Sequence, residues 1–266
     1  MSHFIIKTYN TISPLGLAIL ANAGYSVDPD AQEPDAILLR SHVLNADDVP
    51  KSVKVVARAG AGVNNVPVEA LSKRGIPVLN TPGANANAVK ELTLAALLLA
   101  ARNICEGWAY TRTLTGDKAA FNSAVEKNKS LFKGVELKGR TLGVVGLGAI
   151  GVNVANAARA IGMNVIAYDP HISVQRAWDL SSSVKQAHRL NDLLSAAEFV
   201  SIHIPLVPDT KELFSAALLA EMQPHSTLLN FSRHEIVNEE AVLTALDNNA
   251  LRCYISDFPS PRLQEN

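Results

Sequence analysis

Apolar and polar positions along the chain fall into short blocks whose period switches back and forth between strand and helix. Residues 4–9 are an apolar run of strand length. Ser13 and Pro14 suit an N-cap and a first helical position, Leu15, Ile19 and Leu20 follow at helical spacing, and Gly24 closes the stretch. Further strand-length runs lie at residues 36–40, 54–59 and 77–80, with a short helical pattern over 67–73, stopped by Gly75, before the last of them. Residues 85–103 read as one long apolar helix, and the polar residues 104–135, helical in part, as a connection. A second series begins near Gly139. Its strands are predicted at 142–145, 165–168, 199–204, 226–231 and 252–258. Its helices are predicted at 190–197, 212–222 and 238–248, the last capped by Asn238, while residues 170–185 read as loop. Short apolar strands alternating with helices imply parallel sheets covered on both faces.

The fold class is therefore α/β, with two doubly wound parallel-sheet domains of flavodoxin or Rossmann type and a cleft between them. A length of 266 residues fits two modest domains. The division is placed at 1–98 and 99–266. A net charge of −1 without a basic block gives no electrostatic footprint for nucleic acid or an anionic membrane. Cys105 and Cys253 stand far apart with no CxxC pair, so neither a disulfide frame nor a metal site is predicted, and a cytoplasmic location fits. The N-terminus lacks the pattern of a signal peptide. The apolar run 92–101 has half the length needed to span a bilayer.

Residues 141–169 organise the rest. Leu142, Val144 and Val145 lead into a turn with Gly146, Gly148 and Gly151. A helical pattern follows through Ile150, Val154, Ala157, Ala158 and Ile161, and the next strand ends on Asp169. Strand, glycine turn, helix and strand within about thirty residues form the context of a dinucleotide fingerprint. Gly146 serves the tight turn, Gly148 lets a pyrophosphate approach, and Gly151 brings helix and strand together. The helix N-terminus favours the phosphates. Asp169, 18 residues after Gly151, sits where a carboxylate meets the adenosine ribose and repels a 2′-phosphate, so NAD is favoured over NADP.

Ligands in open α/β sheets bind beyond the carboxyl ends of the strands. The stretch from Arg58 to Asn65, with Gly60 and Gly62, follows a strand, and its backbone N–H groups suit an anion. A plain turn explains it equally well. Arg40 and Arg58 end strands where a cation can hold a second anionic group. Arg233, after the strand 226–231, has the chemistry to bind a carboxylate and polarise a carbonyl, and Asp257 ends the last strand. His203 reads as a packed residue inside a strand. His234, beside Arg233, is the other histidine near the expected cleft edge.

The stretches ARAGAGVNNVPVEALSKRGIPVLNTPGANANAVKEL, KGRTLGVVGLGAIG with its later YDP, IHIPLVPDTKELF, LLNFSRHEIVNEEAV and YISDFP run in order over nearly the whole chain. Through them the chain resembles the D-isomer-specific 2-hydroxyacid dehydrogenases, above all those that act on 3-phosphoglycerate. The resemblance implies NAD-dependent oxidation of D-3-phosphoglycerate to 3-phosphohydroxypyruvate, the first step of serine biosynthesis. It implies cofactor contacts at Thr81, Gly146, Gly148, Ala149, Ile150, Gly151, Asp169, Ile204, Phe231, Ser232, Arg233 and Asp257. It implies substrate contacts at Arg40, Gly60, Ala61, Gly62 and Val63, with Arg40 toward a phosphate and Arg233 as the catalytic arginine, and Arg58 joins the substrate-binding candidates by its place at a strand end. A phosphorylated 2-hydroxy acid is the implied partner, in a homodimer or higher homo-oligomer of the full-length form. Two departures stand out. His234 occupies a position where the family carries glycine. The family's catalytic glutamate and its Pro-His pair, whose histidine is the general acid–base, have no counterpart before Asn266. The expectation is a chain truncated before that histidine, with its second domain incomplete, lacking its last strand, and with little activity of its own. Another D-2-hydroxyacid dehydrogenase of glyoxylate, hydroxypyruvate or lactate type, a non-catalytic NAD-binding protein, and a fragment that folds poorly stay open beside it.

Overall fold

Five short strands pair in parallel to make the first of two sheets. The computed structural model describes residues 4–258 and 260–265. They divide into two units, Met1–Asn85 and Ala86–Asn266. The first unit runs β1 (Ile5–Tyr9), α1 (Pro14–Asn22), β2 (Ser26–Val27), β3 (Ala36–Leu39), β4 (Val55–Arg58), α2 (Val68–Lys73) and β5 (Val78–Asn80). Its strand order is β2-β1-β3-β4-β5, the flavodoxin order. Ile37 and Leu39 on β3 and Val56 on β4 are fully buried, and Leu71 of α2 closes over them. The two-residue β2 is too short to leave a hydrophobic signature, and the pattern reading passed over it. Gly24, at φ +86, makes the turn from α1 toward β2, a conformation that costs glycine little.

The second unit opens with α3 (Ala86–Arg102), α4 (Ile104–Thr113) and α5 (Lys118–Asn128). It continues with β6 (Thr141–Val145), α6 (Ala149–Ala160), β7 (Asn164–Tyr168), α7 (Val174–Asp179), β8 (Lys185–Gln186), α8 (Leu190–Ala196) and β9 (Phe199–Ile202). It ends with α9 (Ala216–Leu219), β10 (Ser226–Asn230), α10 (Glu239–Asp247), β11 (Leu251–Ser256) and α11 (Pro261–Glu265). All pairs are parallel, in the order β11-β10-β9-β6-β7-β8. Counted from β6, this is the 3-2-1-4-5-6 order of dinucleotide-binding sheets, which reverses between β6 and β9. Leu142 and Val144 of β6 and Val154 and Ala158 of α6 are fully buried in one cluster. Leu97 and Ala101 of α3 join that same cluster. The helix therefore belongs to the second unit, and the 98/99 boundary read from sequence lies inside it.

Three segments differ from their expected form. Residues 170–185 are not all loop: Ser173 caps α7 by accepting from the Arg176 N–H, and Lys185 begins β8 against Ile166. The helix expected over 212–222 shrinks to α9. Glu212 sits at φ +49 and donates its N–H to the Glu235 carbonyl (2.7 Å), and Phe214, fully buried, bridges to Val237. Burying that ring outweighs the helical pattern around it. Strand β9 ends at Ile202, so His203 and Ile204 lie beyond it. Asn238 does cap α10, accepting from the Ala241 N–H. Among the described residues, no helix is long and apolar enough to cross a membrane.

Candidate dinucleotide-binding site

The three glycines after β6 differ in what surrounds them. Gly146 has φ +93 and donates to the Tyr168 carbonyl at 2.9 Å. A Cβ there would lie 2.8 Å from the His203 carbonyl group and from Ile204 Cγ2, so the turn passes in contact with the exit of β9. At Gly151 a Cβ would lie 1.9 Å from the Gly146 carbonyl oxygen, which is how α6 starts so close to the turn. Gly148 is the reverse case. It is exposed, and a Cβ would meet nothing within 4 Å. It sits at the N-cap of the 12-residue α6, where no side chain caps the helix. Packing asks for glycine at two positions, and at the third glycine leaves room before the uncapped N–H groups of Ala149 and Ile150. A pyrophosphate fits that space and charge.

Asp169 follows β7. Its Oδ2 accepts from the Leu147 N–H at 2.7 Å and its Oδ1 from the His171 N–H at 2.8 Å, which ties the carboxylate to the glycine turn. Each oxygen keeps acceptor capacity for a hydroxyl, because a carboxylate offers about four lone-pair sites.

The exits of β9, β10 and β11 hold the remaining residues of this unit. Ile204 packs on Gly146, and Phe231 packs against the core with Ile255. Ser232 Oγ donates to the Ile202 carbonyl at 2.9 Å, which ties the end of β10 to β9. Arg233 is half-buried and donates from Nη1 to the Ser232 carbonyl at 2.7 Å. Burial raises the Asp257 carboxyl above its ordinary value, and the nearby Arg233 charge partly offsets this. His203 places Nε2 2.8 Å from Ser201 Oγ, and burial pushes its pKa down to about 4, so the ring is neutral at neutral pH. His234 sets Nδ1 3.1 Å from Glu235 Oε2, with its ring centroid 6.0 Å from that of Phe258.

In the first unit the exits of β3, β4 and β5 gather another group. Arg58 Nε donates to the Arg40 carbonyl at 3.0 Å, and the Arg58 guanidinium lies over Gly60. The Gly60 N–H donates to the Arg58 carbonyl (2.9 Å), and Thr81 donates its N–H to the Gly60 carbonyl (3.0 Å). Asn80 Nδ2 donates to the Ala61 carbonyl at 2.6 Å. Gly62 and Val63 complete the loop, which Val66 closes by donating to the Val63 carbonyl at 2.9 Å. The Arg40 side chain is exposed.

Sequence reasoning places Asn80 at a strand end and Asn65 in the loop after β4, but does not single out Asn10 or Asn230. Asn230 is fully buried; Nδ2 donates to the Arg233 carbonyl at 2.9 Å and Oδ1 accepts from the Ser232 N–H at 3.1 Å. Asn10 Oδ1 accepts from the N–H groups of Ser41 and His42, and Asn65 Nδ2 donates to the Arg40 and His42 carbonyls. Asn10 follows β1 and Asn230 ends β10, the same strand-end signal that marks Asn80.

A parallel sheet in this order, with an open glycine turn at its reversal point and a carboxylate after its second strand, defines a nicotinamide-dinucleotide-binding unit. Residues 94–265 match the family model described as D-isomer specific 2-hydroxyacid dehydrogenase, NAD binding domain, and the chain belongs to that family. It is 36% identical over 229 residues to D-3-phosphoglycerate dehydrogenase of Methanocaldococcus jannaschii, covering 85% of this chain and 41% of that protein. It is 38% identical over 218 residues to the Synechocystis enzyme of the same name, covering 81% of this chain and 37% of that protein. The chain thus spans about two fifths of the length of these curated relatives. The solved 3-phosphoglycerate dehydrogenase of Entamoeba histolytica with NAD+ bound is 25% identical, with a TM-score of 0.77 over all of this chain and 84% of that one.

Proposed function

We propose that the protein acts as an NAD-dependent D-2-hydroxyacid dehydrogenase whose substrate is D-3-phosphoglycerate and whose product is 3-phosphohydroxypyruvate. The open space at Gly148, in front of the uncapped N-terminus of α6, carries this reading. The N–H groups of Ala149 and Ile150 hold the pyrophosphate, with Gly146 and Gly151 setting the turn behind them. Asp169 accepts from the adenosine ribose hydroxyls, and its charge disfavours a 2′-phosphate. NAD bound there supplies the hydride acceptor. Thr81, Ile204, Phe231, Ser232 and Asp257 serve the nicotinamide side.

Arg233 donates to the substrate carboxylate and to the C2 oxygen as it becomes a carbonyl, where a preorganised cation is worth most. The backbone N–H groups of the loop Gly60, Ala61, Gly62 and Val63, with Arg58 over Gly60, suit an anionic group of the substrate. Arg40 pairs with the phosphate. Oxidation removes C2–H as hydride and the hydroxyl proton to a base. His203 is not that base: Ser201 engages its Nε2, and burial holds its basicity low. A second reading has NAD bound without turnover, since the space at Gly148 serves binding alone equally well.

NADH absorbance with NAD and either D-3-phosphoglycerate or an unphosphorylated D-2-hydroxy acid separates the readings. Turnover preferring the phosphorylated substrate supports the first. NADH binding without turnover of either substrate supports the second, and absence of both overturns the assignment.

A further inference from the structure

The residue that sets Arg233 in place is not itself a charged group. Strand β10 ends at Asn230, which is fully buried although the residues before it in the strand, Leu228 and Leu229, are apolar. An amide in that setting needs partners on both of its atoms. It finds them in the turn that follows. Oδ1 accepts from the Ser232 N–H at 3.1 Å, and Nδ2 donates to the Arg233 carbonyl at 2.9 Å. One side chain thus closes the loop of residues 230–233 from within. Tyr254 on β11 lies beside the same amide, with its hydroxyl 3.4 Å from Nδ2, and burial raises that phenol above its ordinary value. Ser232 Oγ anchors the other side of the turn to the Ile202 carbonyl on β9. The arginine backbone at φ −148 and ψ 138 is extended, and its carbonyl accepts from the Ile236 N–H at 3.3 Å as well as, more closely, from the Asn230 amide.

We propose that Asn230 is a positioning residue for Arg233: its amide fixes the turn that aims the guanidinium at a substrate carboxylate. The inference rests on the carboxylate-binding role given to Arg233 above. It assigns Asn230 no contact with substrate or cofactor. The pyrophosphate and adenosine ribose are held elsewhere, by the turn at Gly148 and by Asp169, so loss of the amide falls more heavily on carboxylate affinity than on cofactor affinity.

The test is binding of oxalate, as a small carboxylate probe, to the full chain saturated with NADH, followed by NADH fluorescence. Asn230→Ala lowers oxalate affinity about tenfold or more, the worth of one to two hydrogen bonds that orient a charged donor, and leaves NADH affinity within about threefold. Asn230→Asp is nearly isosteric and guards against a folding defect. Its ionised carboxylate still accepts from Ser232 but faces the Arg233 carbonyl with an oxygen, and oxalate affinity falls. Protonation restores a donor at that atom, so affinity relative to the unmodified protein at the same pH recovers as pH falls. A group that merely supports the fold gives no such recovery.

Unchanged oxalate affinity in either variant, equal losses of NADH and oxalate affinity, or no pH recovery in Asn230→Asp overturns the inference. Arg233→Ala tests the reading beneath it. If that variant keeps oxalate affinity, or if the unmodified protein with NADH binds no oxalate, the role given to Arg233 is wrong instead.

Discussion

One methyl group added at Gly148 and the same group added at Gly151 should have opposite consequences. At Gly151 the new carbon lies 1.9 Å from the Gly146 carbonyl oxygen and 3.5 Å from Val144 Cγ1. Ordinary contact needs about 3.4 Å, so α6 and the turn must part by about 1.5 Å. The opposing atom is backbone and cannot swing aside. The helix buries Val152, Val154, Ala155 and Ala158 against β6, and moving it disturbs that packing. Overpacking of this kind costs about 1–3 kcal/mol, and we expect the upper half of the range. For a unit of this size that is a fall of about 5–10 °C in the melting transition. At Gly148 the backbone is extended, with φ −70 and ψ −166, and a methyl meets nothing within 4 Å. Stability should change by less than about 1 kcal/mol. The methyl does stand where a pyrophosphate approaches the α6 N–H groups. NADH affinity should fall at least about tenfold, or about 1.4 kcal/mol. Thermal melts by circular dichroism and NADH titrations by fluorescence read both quantities. A Gly148→Ala protein that binds NADH normally, or one that melts as low as Gly151→Ala, refutes the reasoning.

Asp169→Asn removes the charge expected to face a 2′-phosphate, so the preference for NADH over NADPH should narrow by about tenfold in paired titrations, and an unchanged ratio would sink that role. His203 has a folded pKa of about 4 against an ordinary value of 6.5, so the unfolded chain binds a proton that the folded chain refuses. Stability is therefore full above about pH 6.5 and declines as pH falls toward 4, by about 3 kcal/mol from this group, and urea titrations of His203→Asn should show a loss shallower by that amount. Arg40→Ala should raise KM for D-3-phosphoglycerate about tenfold or more while leaving an unphosphorylated 2-hydroxy acid unaffected. Equal effects on both substrates would remove Arg40 from the phosphate.

The strand, glycine turn and helix around Gly146 were legible because period, spacing and residue type agree there: β6 is apolar, α6 repeats at helical spacing, and Asp169 ends the next strand. Both sheets followed from the same alternation. What escaped was decided by contacts distant in sequence. Phe214 reads as part of a helix, yet its burial and its bridge to Val237 pull the segment extended, leaving only Ala216–Leu219 helical. Helix α7 hides among polar residues, held by a serine cap at one end and by the Asn156 amide on the Asp179 carbonyl at the other. Helix α3 looks like the end of the first domain until Leu97 and Ala101 are found in the core of the second. In the candidate site, charged and glycine residues announced themselves, and the buried amide of Asn230 did not. Asn230 interrupts an apolar strand without periodicity or motif, and only its position between Ser232 and Arg233 shows what it holds.

Calorimetric titration of the chain with NADH and, separately, NADPH asks whether the turn at Gly148 with Asp169 holds NAD. Saturable NADH binding at one site per chain, displaced by NAD, with NADPH at least about tenfold weaker, is the expected result. No saturable heat with NADH, or equal affinity for both dinucleotides, would contradict it.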